Sequence, residues 1–324
     1  MKSFIITIDT EGDNLWEYHT GNHVKTENAT YIPHFQELCN KYGFKPVWLT
    51  NYEMIMSDKY VEYIKKPLAK GQCEIGIHVH AWNNPPLYEL KGKYNGNPYL
   101  IEYPNDIMHA KFKTTYNLIQ ERLGVKVKSH RSGRWAMDNR YFKLLEDFEI
   151  ICDCSYTPGV SWAKAEGETV MGGSDYSKVP KRAHMVGEIL EVPATVRHYK
   201  HYLSGGSIKH QLRAFVKGGT IWFRPALSSL SDMKKLMKDV DAEPYNNYLE
   251  FMIHSSELMP GGSPYFKDSN AIDKMYDIMD ELFTYAHELG YVGETLESYA
   301  NRFLKKYYDK NISLASAVIW EIDC

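Results

Sequence analysis

Two histidines separated by a single residue, His78 and His80, close the apolar run Glu74-Ile75-Gly76-Ile77-His78-Val79-His80-Ala81-Trp82. In a β-strand the side chains at i and i+2 point to one face. Both imidazoles can therefore aim at one point while Val79 turns the other way, and that point could hold a metal ion. Asn83-Asn84-Pro85-Pro86 then stops the strand and leaves the pair near its C-terminal end. Taken alone, such a pair is more often two histidines satisfied by hydrogen bonds, so partners elsewhere in the chain must decide.

Candidate partners follow other apolar runs. Asp9 and Glu11 stand in the same i, i+2 relation after Phe4-Ile5-Ile6-Thr7-Ile8, and a carboxylate at the end of a buried strand is costly without a cation or donors nearby. Asp13, beside Gly12 and Asn14, reads as a turn former. Arg131, Arg134 and Trp135 follow Val125 to Ser129, Asp153 follows Ile150-Ile151-Cys152, and His254 follows Leu249 to Ile253.

The elements that must position these groups alternate. Strands are expected at Phe4 to Ile8, Phe44 to Thr50, Cys73 to His80, Val125 to Ser129, Ile150 to Cys152, Ile189 to Val192, Thr220 to Phe223, Leu249 to Ile253 and Tyr291 to Leu296. Between them, helical spacing runs from Ala29 to Tyr42, Met54 to Ala69, Asp106 to Leu123, Asn139 to Phe148, Ile208 to Lys217, Ser231 to Val240 and Asn270 to Leu289. Such alternation argues for a parallel sheet covered by helices. The polar stretch after Pro86, to about Pro104, and the Gly- and Ser-rich stretch from Tyr156 to Met185 read as insertions on the rim. If the strands are parallel, five exits deliver their acids, histidines and arginines to one end of a barrel, the end that carries chemistry in such folds.

These motifs, in this order, resemble the polysaccharide deacetylases of the NodB homology fold, carbohydrate esterase family four, from Ile5 to about Leu296. The resemblance implies an α/β fold, a distorted TIM-like (β/α) barrel with rim insertions. It also implies roles: Asp9 as catalytic base, Arg131 supporting it, His78 as a metal ligand, Asp153 as the partner of His254, and His254 in Met252-Ile253-His254 as general acid. The chain departs from the usual pattern at two points. Asp9-Thr10 stands where an Asp-Asp pair is usual, and a variant Asp-x-Asp arrangement in the family suggests Glu11 as the metal carboxylate. Trp82 stands where the second metal histidine is usual, and His80 shares the face of His78 and can serve in its place. The Asp-Thr-Glu, His-x-His-x-Trp and Arg-x-Gly-Arg-Trp patterns are similar to a branch associated with lipopolysaccharide and surface-glycan synthesis. The implied cofactor is a divalent ion, zinc foremost, and the implied substrate an acetylated sugar or glycan. Arg134, Trp135 and Trp82 are expected on the cleft wall, the tryptophans stacking on a sugar ring or else serving as core aromatics.

Composition sets outer limits. The 324 residues are 44% hydrophobic and 24% charged with a net charge of −3, and no long basic block marks a nucleic-acid surface. No stretch approaches the roughly 20 apolar residues of a membrane span, and the first apolar run is too short for a signal peptide, so a cytoplasmic protein is expected. Five scattered cysteines, Cys39, Cys73, Cys152, Cys154 and Cys324, read as reduced thiols. No linker divides the chain, and one barrel domain over 1–324 is expected. Two other readings stay open: an amidohydrolase- or phosphoesterase-like metal hydrolase on the same kind of barrel, and a carbohydrate-binding protein that has lost catalysis.

Overall fold

The computed structural model of the chain describes residues 1–18, 22–200, 218–244 and 246–309. Its strands are β1 (Lys2–Thr10), β2 (Pro46–Thr50), β3 (Glu74–Val79), β4 (Ser129–Ser132), β5 (Cys152–Asp153), β6 (His184–Val186), β7 (Ile189–Glu191), β8 (Val196–Tyr199), β9 (Gly219–Trp222), β10 (Tyr248–His254) and β11 (Tyr291–Gly293). The main sheet runs β10-β1-β2-β3-β4-β5-β7-β6, parallel throughout except for the last pair, and β11 lies parallel beside the first residues of β1. This is a curled half-barrel. Among the described residues no strand ladder joins β7 to β10. The gap is bridged by the Glu250 N–H donating to Thr195 Oγ1 at 2.9 Å and the Tyr248 hydroxyl donating to the Pro193 carbonyl at 2.9 Å. The ribbon β8-β9 forms a separate antiparallel pair.

Strand periodicity sorts the side chains into two environments. Phe4, Ile6 and Ile8 of β1 join Ile75, Ile77 and Val79 of β3 in one large core with Phe35, Ile64, Phe112, Leu145, Leu236 and Phe283 of the outer helices. Ile5 faces the other way and packs with Val47, Leu49, Cys152, Cys154, Leu190 and Tyr248 inside the barrel. The helix Leu296–Asp309, which sequence reading did not anticipate, closes the floor with Leu296, Tyr299 and Ala300. Above that apolar floor lies a buried ionic layer of Thr7, Glu250 and Arg131. The exits stand above it. Gly76 of β3 permits this inward packing, because a Cβ there would run into Leu49 and Ser129.

Two expectations shift. The helix expected over Met54 to Ala69 is two helices, Tyr52–Met56 and Asp58–Ala69, because Ser57 between them is extended. The strand expected at Val125 to Ser129 pairs only from Ser129 onward. Val125, Lys126 and Lys128 keep solvent contact, while Ser129–Ser132 is buried. The helix expected over Ile208 to Lys217 lies outside the described residues. No helix among the described residues is long and apolar enough to cross a membrane.

Candidate active site

His78 points inward from β3, and its Nδ1 donates to the Arg131 carbonyl at 2.8 Å. That bond places the ring proton on Nδ1 and leaves the Nε2 lone pair free to ligate. His78 Nε2 lies 3.1 Å from His80 Nε2, and Glu11 Oε2 lies 2.8 Å from His80 Nε2 and 3.6 Å from His78 Nε2. All three side chains are buried. A tetrahedral zinc ion with ligands at about 2.0–2.1 Å requires ligand atoms about 3.3 Å apart. The three observed separations bracket that value, so the donor set fits a divalent ion.

His80 Nδ1 departs from the usual pattern. It is buried without a hydrogen-bond partner among the described residues, its ring packed 4.1 Å from Trp82 and against Gly133. A side chain at Gly133 would strike the Val79 carbonyl, so the close approach of β3 and β4 depends on this glycine. Burial pushes the His80 pKa down to about 4, keeping the ring neutral as a metal ligand must be. Burial opposes ionisation of Glu11 as well, but His254, His78 and His80 outweigh it and hold the carboxylate far below its ordinary range.

Asp9 stands beside this group without joining it. Its Oδ1 accepts from Arg131 Nη1 at 2.7 Å, and its Oδ2 faces His254 Nε2 at 3.7 Å. Burial works to raise its pKa, yet Arg131, His78 and His254 prevail and the net shift is downward. Arg131 is completely buried, donating also to Thr7, Glu250 and the Cys154 carbonyl.

Asp153 is elsewhere. Cys152 and Cys154 occupy the barrel interior, so the alternation of a strand turns Asp153 outward to the helix layer. There it bonds His130 Nδ1 at 2.7 Å and Ser155 Oγ at 2.8 Å, and His130 Nε2 meets the Tyr141 hydroxyl at 2.9 Å. None of its hydrogen bonds reaches His254. The expected Asp153–His254 pair is therefore corrected: His254 Nδ1 is met by Arg224 Nη2 at 2.8 Å, with Glu257 behind it.

The rim supplies a cleft of about 390 Å³, within the range of small-molecule pockets (roughly 300–1,000 Å³). Trp82 lines it but is only 7% exposed, stacked on Tyr18 and against His80. Trp135 is half-buried, its ring under the Arg131 guanidinium and parallel to Trp162. Arg134 lies on the wall, yet its guanidinium donates to the Asn97 and Glu166 carbonyls and covers the Tyr99 ring, tying the two rim insertions together. Sequence reasoning missed Trp16, Tyr18 and Arg224. Arg224 follows the apolar run Thr220 to Phe223, so the strand-exit rule that singled out Arg131 would have found it too.

No family model matches the chain, and no curated protein matches it in sequence. Solved structures match it in fold. A Parabacteroides distasonis protein described as a glycoside hydrolase/deacetylase aligns with a TM-score of 0.60 at 10% identity, over 94% of this chain and 72% of that one. A Mycobacterium smegmatis protein described as a polysaccharide deacetylase gives 0.55 at 11% identity, over 100% of this chain and 94% of that one. The 4-alpha-glucanotransferase of Thermococcus litoralis gives 0.51 at 13% identity, over 93% of this chain but 38% of its own. At such identities the likeness is one of architecture. The chain has the NodB-type (β/α) barrel fold of polysaccharide deacetylases.

Proposed function

We propose that this protein is a metal-dependent deacetylase that hydrolyses the acetamide C–N bond of an N-acetylated sugar or glycan, with zinc as the ion. One observation carries the reading: Glu11, His78 and His80 converge on a common point while Asp9 and His254 face each other beside it in one cleft. Two imidazoles and a carboxylate are a donor set that suits zinc. The ion, when bound, supplies Lewis acidity to the substrate carbonyl. Asp9, kept ionised and in place by Arg131, takes the proton of the attacking water. His254 presents Nε2 into the same cleft, where it can meet the leaving nitrogen. Trp135, half-buried on the cleft wall, offers a face for a sugar ring. The Asp-Thr-Glu and His-x-His-x-Trp patterns support a role in surface-glycan synthesis, placed in the cytoplasm.

The same barrel serves a glucanotransferase, so architecture does not choose the chemistry. The histidines favour deacetylation. Glu11 is held between two imidazoles and is not free as the nucleophile or base of glycosidic cleavage. The test is acetate release from N-acetylated amino-sugar oligomers by protein stripped of metal and reloaded with zinc. Release that depends on zinc is expected; tight zinc binding with no release from any acetylated amino sugar would overturn the proposal.

A further inference from the structure

The segments that leave the strand ends are joined to one another around the mouth of the cleft. The Asn14 N–H, after β1, donates to the Gly262 carbonyl, after β10, at 3.0 Å. Asn97 Nδ2, in the segment after β3, donates to the Tyr18 carbonyl at 3.0 Å, and Tyr18 stacks on Trp82. Arg134, after β4, donates to the Asn97 carbonyl and, at 2.7 Å, to the Glu166 carbonyl in the insertion after β5. From that insertion Trp162 meets Trp222 of β9 with ring centroids 6.3 Å apart, and Arg224, just past β9, lies 5.9 Å over the Tyr265 ring in the loop after β10. The belt returns to its start.

Its tightest stretch lies between the two rim insertions. Gly96 packs so closely on the Glu166 carbonyl that a Cβ there would strike it. Arg134 and Trp135 beside it both adopt left-handed backbone angles, φ 56° and 61°, which residues other than glycine rarely take. Such strain persists only where the surroundings enforce it and gathers at functional sites.

The consequence is one of access. An internal sugar of a polymer carries a neighbour on each side, so its site needs two openings. Among the described residues no gap in the belt supplies a second. The cavity beneath, about 390 Å³, is larger than an acetamide group needs, so the ring that bears the acetamide enters with it. Glu11, His78 and His80 are buried at its foot, where only a group that has entered can reach them.

We propose that the cleft is a blind pocket, which takes an N-acetylated amino sugar as a single unit or as the terminal residue of a chain, and that Asn97 and Arg134 are the specificity-determining residues that keep it closed. The proposal rests on the deacetylase reading above and narrows its substrate class. One link to the rest of a substrate leaves through the mouth, and a second has no way out.

The test is the position of acetate loss, read by fragmentation mass spectrometry, when zinc-loaded protein acts on N-acetylglucosamine and on its β-1,4-linked dimer, tetramer and hexamer. One acetate per chain is expected, from the same terminal residue whatever the length. Arg134→Ala combined with Asn97→Gly should part the belt and bring internal loss to within about 10-fold of terminal loss, with bound zinc reporting that the site is intact. Internal loss from the wild type at a rate comparable to terminal loss overturns the proposal. Strictly terminal loss in the zinc-loaded double variant overturns the role given to Asn97 and Arg134. Acetate loss from none of these sugars overturns the deacetylase reading and this proposal with it, a result distinct from the other two.

Discussion

Asp9 and His254 are register partners across the neighbouring parallel strands β1 and β10, and each is held from behind by its own buried arginine: Arg131 on Asp9 and Arg224 on His254. The two side chains meet over the cleft with 3.7 Å between Oδ2 and Nε2. Parallel pairing puts the carboxylate and the imidazole at the same height, and the arginines fix which atom of each faces the cleft.

The metal group makes the first prediction. His78→Ala, His80→Ala and Glu11→Gln should each weaken zinc binding by more than about 100-fold, since each removes one of the three proposed protein ligands. Asp9→Asn should keep the metal and lose turnover. Metal content after dialysis separates them, and full zinc occupancy in His80→Ala would remove His80 from the ligand set.

Asp153→Asn should act on stability and not on chemistry. The carboxylate holds His130 in the outer layer, where burial opposes its ionisation and His130 overcomes that opposition. Weakening a buried charged hydrogen bond costs about 2–3 kcal/mol, visible in urea unfolding. Turnover per folded molecule should stay within about twofold of wild type. A large turnover loss at unchanged stability would tie Asp153 to the site after all.

Glu74 gives the pH dependence. It sits inside the barrel at the start of β3, accepting from Ser129 Oγ and from the Glu297 N–H at 2.9 Å. Burial pushes its pKa up to about 7. The folded state therefore binds a proton that the unfolded chain releases near pH ~4.3. That contribution is whole below pH ~4.3 and disappears as pH rises through 7, a loss of about 3–4 kcal/mol. Glu74→Gln should remove this fall. Unfolding free energies at pH 5 and pH 8 that differ by the same amount in both proteins would refute it.

Lys111 is buried beneath the segment that follows His80, its ammonium donating to the carbonyls of Ala81, Asn84 and Pro86 at 2.7–2.9 Å. Lys111→Met leaves those carbonyls without a donor, at a cost on the order of 3 kcal/mol. Cleavage by a protease near 81–86 should accelerate, and zinc affinity should fall with it because His80 enters that segment. Unaltered proteolysis would show that other contacts hold the loop.

Much of this was legible in the residues. The i, i+2 relation of His78 and His80, and of Asp9 and Glu11, is a local property of a strand, and the structure brings Glu11, His78 and His80 within 4.8 Å of one another. The alternation of elements gave the parallel barrel. What failed was parity and partnership. Whether Asp153 faces in or out depends on where β5 begins, and Cys152 and Cys154 are both apolar enough for the interior. Arg224 lies 30 residues from His254 in sequence, just past the end of β9, so no local pattern joins them. The split at Ser57 follows from one extended residue that the apolar spacing does not register.

Arg131 binds Asp9 and Thr7 of β1, Glu250 of β10 and the Cys154 carbonyl just past β5, from its own place on β4. A guanidinium shared in this way makes the upper barrel one cooperative unit: no single strand can part from its neighbour there without exposing an unpaired buried charge. Local fluctuation is thereby pushed to the rim and the floor. The cleft-lining groups of the rim can breathe, while Asp9 opens only together with the strands that Arg131 ties to it.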